Sequence, residues 1–115
     1  MVVEIQKRPS NTAAKVSLSP SEQLTSEGGA MSAMSGALAV ETALTTKQAA
    51  VGKRLLKGFS RTLAREGLFL NTFTAGSNGG DVFLATALPG DMEVIELDGS
   101  KRVKVQSGSF VAHEE

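Results

Sequence analysis

Apolar and polar residues alternate with a period of two along most of the chain, the pattern of strands that bury one face. Val3 and Ile5 stand out of phase with Val2, Glu4 and Gln6, and Val16 and Leu18 with Lys15, Ser17 and Ser19, which predicts the first two strands. Pro20 sets a turn, Glu22 to Glu27 resumes a strand around Leu24, and Gly28-Gly29 ends it. Between Met31 and Leu44 small residues are threaded by Met31, Met34, Leu38, Val40 and Leu44, with Leu38, Val40, Thr42 and Leu44 on one strand face. A helix is conceivable there, but the alternation favours a strand.

Past Gly67 the alternation returns. Leu68 to Ala75 and Val82 to Thr86 flank the run Gly76-Ser77-Asn78-Gly79-Gly80, for which a hairpin is the simplest expectation. Leu88-Pro89-Gly90-Asp91 predicts another turn and Met92 to Leu97 a further strand. Asp98-Gly99 is the strongest local signal, because a type I′ turn needs positive φ at both central residues, and it predicts a hairpin with Lys101 to Gln106. Ser107-Gly108-Ser109 turns again, and Phe110 to Ala112 forms a last short strand. About eight short strands at close turn spacings imply an all-β sandwich or barrel-like fold.

One stretch departs from this pattern. On a helical wheel, Val51, Leu55, Leu56, Phe59 and Leu63 occupy one arc and Lys53, Arg54, Lys57, Arg61 and Arg65 the opposite one. A short amphipathic helical insertion over about residues 47–65 is therefore expected in the β-rich domain. Gly52 and Gly58 weaken it by roughly 1 kcal/mol each relative to Ala.

Charge sharpens the picture of this insertion. The 115 residues carry 12 basic and 12 acidic side chains, yet six of the basic ones, Lys47 and the five above, fall between Glu41 and Glu66, where no acid occurs. The rest of the chain is correspondingly acidic. Such a basic face is a candidate contact for an anionic membrane surface or an acidic protein, worth up to roughly 1 kcal/mol per basic residue near a charged membrane. The alternative is a surface helix that caps the β core while its charges stay solvated. Nucleic acid is the weaker partner, since Trp and Tyr are absent and the five Phe mostly sit at core-like positions.

Length and composition remove other options. A chain of 115 residues supports one domain, 1–115, that buries roughly two-thirds of its unfolded surface. With 41% hydrophobic and 21% charged residues it is of ordinary globular composition. No cysteine means no disulfide, thiol catalysis or thiolate metal site, and one histidine excludes any site built on two imidazoles. The start, MVVEIQKRPS, has the wrong order for a secretory signal, and the uncharged run Gly28 to Val40 is far short of a membrane span. A soluble, cytoplasmic chain is expected.

Catalytic candidates are thin. Gly76 to Gly80 matches no phosphate-binding motif, and no helix follows it. His113, beside Glu114 and Glu115, reads as a solvated tail residue. Asp91, Glu93, Glu96 and Asp98 suggest paired carboxylates or a hard-cation site, but on a hairpin beside a turn exposed acids are the default. The serines lack a G-x-S-x-G motif. No enzyme activity, catalytic residue, metal or cofactor is expected.

Taken together, Glu27-Gly28-Gly29-Ala30-Met31 with Met34, Glu66 to Ala75, Leu88-Pro89-Gly90-Asp91, Leu97-Asp98-Gly99 and Val105 to Ala112 resemble the "altered inheritance of mitochondria 24" family. The resemblance runs over essentially the whole chain. It implies a β-sandwich of double-stranded β-helix type, related to the tryptophan-responsive RNA-binding attenuation protein (TRAP-like), and no established enzymatic activity. Mitochondrial members of the family are linked to inner-membrane organisation. Family members are typically about twice this length, so the chain resembles their N-terminal half, which implies either a truncated or split version or a core completed by self-association. The ring-forming fold relative binds RNA and tryptophan, but fold alone does not transmit function. The expected function is a non-enzymatic, homo-oligomeric scaffold or protein-interaction module. The alternative is a peripheral membrane or anionic-lipid-binding module acting through the basic helix.

Overall fold

A computed structural model of the chain describes residues 1–44, 69–106 and 108–115. Eight strands form among them: β1 (Val2–Gln6), β2 (Ala13–Leu18), β3 (Gln23–Glu27), β4 (Met31–Met34), β5 (Leu38–Leu44), β6 (Phe69–Ala75), β7 (Gly80–Ala85) and β8 (Ala112–Glu114). They make two four-stranded antiparallel sheets, ordered β1-β2-β7-β4 and β5-β6-β3-β8. The described residues are all-β, with no helix among them. The expected insertion over 47–65 lies outside them.

The period-two pattern is realised most cleanly in β2. Ala14, Val16 and Leu18 are buried while Lys15 and Ser17 face outward, because successive side chains of a strand point to opposite faces. Across the ladder Ala14 and Val16 stand opposite Leu84 and Val82 of β7. From the other sheet come Leu24, Leu38, Phe73 and Ala75, so one apolar cluster is shared by both sheets. Phe73 and Val82 are completely enclosed. On the outer face of the first sheet Lys15 pairs with Asp81 at 3.4 Å, and the Ser17 hydroxyl donates to the same carboxylate at 2.6 Å.

The chain changes sheet at almost every connection. Only β1–β2 and β5–β6 join neighbours in one sheet; every other turn crosses between sheets. This corrects the expected hairpin at Gly76 to Gly80, since β6 pairs with β3 and β5 whereas β7 pairs with β2 and β4. The run is a corner between sheets, and its glycines are spent on close approach. Gly79 has φ +69° and lies so close to the Leu18 carbonyl that a Cβ could not be accommodated, and a Cβ on Gly80 would meet Leu38 Cδ2 at 2.7 Å.

The predicted strand from Met31 to Leu44 is likewise two strands in different sheets. Ser35 divides them: its N–H donates to Asp81 O at 2.8 Å, its hydroxyl accepts from Asp81 N at 2.9 Å, and Leu38 N closes a turn onto Ser35 O at 3.2 Å. A register shift between Met31 and Ala33 marks a bulge just before this corner.

Residues 92–106 depart further from expectation. Neither Met92 to Leu97 nor Lys101 to Gln106 is a strand, and no ladder joins them. Asp98-Gly99 does bend the chain, with Gly99 at φ +83°. The Asp98 carboxylate accepts from both Ser100 N (2.8 Å) and Ser100 Oγ (2.6 Å), an Asx turn in place of a paired hairpin. The last strand also begins later than expected, at Ala112, and pairs with β3.

Candidate functional site

The basic residues singled out by charge, Lys53, Arg54, Lys57, Arg61 and Arg65, lie outside the described residues. Their attachment is nonetheless defined. Segment 45–68 connects β5 to β6, whose register ends at Leu44 opposite Phe69, so it leaves and re-enters the sheet at one place. There Phe69 is exposed, and Gly28 donates to Phe69 O while leaving no room for a Cβ. Beneath this end, buried Asn71 accepts from Thr42 Oγ1 at 2.8 Å and donates to Gly28 O at 3.2 Å.

The acidic residues at 91–98 separate into different roles. Asp91 is fastened: Arg8 Nε and Nη2 donate to its Oδ2 at 3.1 and 3.0 Å, and Thr12 Oγ1 and Met92 N donate to its Oδ1 at 3.0 and 2.9 Å. The Arg8 hydrogen bond, with help from Met92 N and Thr12, holds the Asp91 carboxyl below the usual carboxylate range, and the same pairing raises the guanidinium of Arg8. Arg8 Nη2 also reaches Glu93 Oε2 at 3.0 Å. Backbone bonds from Gly90 N to Ser10 O (2.8 Å) and from Thr12 N to Gly90 O (3.3 Å) complete the clamp. Asp98 is lowered as well, first by the Ser100 hydroxyl. These carboxylates are therefore structural partners of a clamp and a turn. Among the described residues no three His, Asp or Glu side chains are placed to hold a metal ion.

His113 is not a solvated tail residue as expected. It stands in β8 opposite Thr25, its Nδ1 is 2.9 Å from Glu114 O, and its ring meets Phe110 at 5.9 Å. Around it Thr25 Oγ1 donates to Glu115 Oε1 at 2.7 Å and lies 2.8 Å from Thr72 Oγ1, a polar ladder across the sheet.

The feature that sequence reasoning missed is an exposed arm. Past the Asp91 clamp, Met92 is buried in the shared core and residues 93–100 are exposed. Ile95 is 54% exposed and Leu97 60%, with Val94 and Val105 also exposed, and Leu88 just before the clamp is 78% exposed. Alternation in 92–106 suggested a buried face; the only available signal to the contrary was charge, since 91–98 carries no basic residue and 101–106 no acidic one.

A family model described as Mitochondrial biogenesis AIM24 matches residues 3–115. The chain belongs to the AIM24 family. The match spans both sheets, the clamp and the arm, so all of these lie within the AIM24 region. Neither a curated protein nor a solved structure matches the chain. Among the described residues no helix is long and apolar enough to cross a membrane.

Proposed function

We propose that this AIM24-family chain is a non-enzymatic, cytoplasmic scaffold or protein-interaction module that works by self-association. Its fold on this reading is a β-sandwich of the TRAP-like, double-stranded β-helix type; in favour is a chain that alternates between two sheets around one core. The observation that carries the functional reading is the arm. Leu88, Val94, Ile95, Leu97 and Val105 are large, apolar and exposed within a short stretch, and such clustering marks an interaction site. The outer strands of the sheets, β1, β4, β5 and β8, add further edges that can accept a strand. Light scattering tests this reading: a mass above the 12.0 kDa protomer supports it, and a folded monomer at every accessible concentration, with no partner in a pull-down, overturns it.

A second reading is a peripheral module for anionic lipid. In favour is charge segregation: six of the 12 basic residues lie in segment 45–68 and eleven of the 12 acids outside it. Vesicles containing anionic lipid should then retain the protein at low salt, and Lys53→Glu with Arg54→Glu should abolish retention. Failure of wild type to bind ends this reading.

A further inference from the structure

The arm holds two limbs, 93–97 and 101–105, on either side of the Asp98-Gly99 bend. In an antiparallel register centred on that bend, Glu96 falls opposite Lys101, Glu93 opposite Lys104 and Val94 opposite Val103. The pairing is thus complementary in both charge and apolar content, and cross-strand pairs of these types stabilise sheets. Yet no ladder joins the limbs within the chain, and residues 93–98 are all exposed.

We propose that the occupant of this unpaired surface is a second copy of the chain, the acidic limb of each copy pairing with the basic limb of the other. The proposal rests on the self-association reading and names its surface and partner. Charge decides the arrangement. Limb 93–97 set against its own counterpart would place Glu93 and Glu96 among like charges, and 101–105 would do the same with Lys101, Arg102 and Lys104. Only acidic against basic is attractive, and a two-fold axis makes that contact twice. Val94, exposed in one copy, then stands opposite Val103 of the other. The Arg8–Asp91 clamp and buried Met92 fix one root of the arm and β8 the other, so the limbs are presented from a rigid body.

The test is a charge swap. Glu93→Lys with Glu96→Lys, and separately Lys101→Glu with Lys104→Glu, should each weaken the dimer by about tenfold or more, because both reciprocal contacts become repulsive. Mixed in equal amounts, the two variants should recover a dimer containing one of each, detectable by native mass spectrometry. Circular dichroism checks folding, and Glu96→Lys with Lys101→Glu, which leave the Arg8 clamp untouched, provide a milder pair. A wild-type dimer whose variants stay dimeric, or whose monomeric variants do not recover on mixing, overturns arm pairing but leaves self-association standing. A wild-type monomer overturns both.

Discussion

Among the described residues Phe73 is the largest fully enclosed side chain, and it stands between Leu24 and Val40 in the register of its sheet. Phe73→Ala is expected to cost about 3–5 kcal/mol, read from urea denaturation, since the shared core would keep most of the cavity. The corner glycines should separate. Gly79→Ala forces a left-handed residue against the Leu18 backbone and should depress the thermal midpoint strongly, whereas a Cβ at Gly80 meets side-chain atoms of Leu38 and Ser35 without a positive φ and should depress it less. Asp91 gives a pH signature. Its carboxyl is lowered in the fold, so its contribution is whole above the ordinary carboxylate value of about 3.9 and is lost as pH falls through the lowered one. Asp91→Asn should therefore be less stable than wild type at neutral pH, and the two melting curves should converge at strongly acid pH. A constant gap would contradict the clamp.

At the scale of elements, strands were legible wherever one face is buried. Ala14, Val16 and Leu18 in β2 show the period because the core enforces it, whereas in β3 Leu24, Thr25 and Ser26 are buried in succession. Which sheet a strand joins was not legible. Gly76 to Gly80 carries the composition of a hairpin turn and serves as a corner, because turn chemistry specifies a reversal of direction and not the strand that will receive it. Asp98-Gly99 likewise bends as its residues require, but a ladder also needs a face to bury, and Val94, Ile95 and Leu97 find none in their own chain. The candidate site was half visible: charge marked both the basic segment and the acidic residues, while the exposure of the arm depended on the fold. Ile95→Asp with Leu97→Asp should leave the melting temperature of the protomer nearly unchanged and abolish association. A large loss of stability in the dilute protein would show that these side chains are packed within the chain.

For the whole molecule, the two features of interest lie in different parts of the chain. The basic segment joins β5 to β6, and the arm joins β7 to β8. Neutral overall charge conceals an acidic β body that carries a basic insertion. Their roles are separable by experiment, since arm variants should alter mass without altering vesicle retention, and Lys53→Glu with Arg54→Glu should do the reverse. The central claim is self-association through the arm, and sedimentation equilibrium of wild type beside Ile95→Asp with Leu97→Asp tests it most directly. Wild type should have at least twice the 12.0 kDa protomer mass and the variant should be a folded monomer. A monomeric wild type, or a variant of unchanged mass, would contradict that claim.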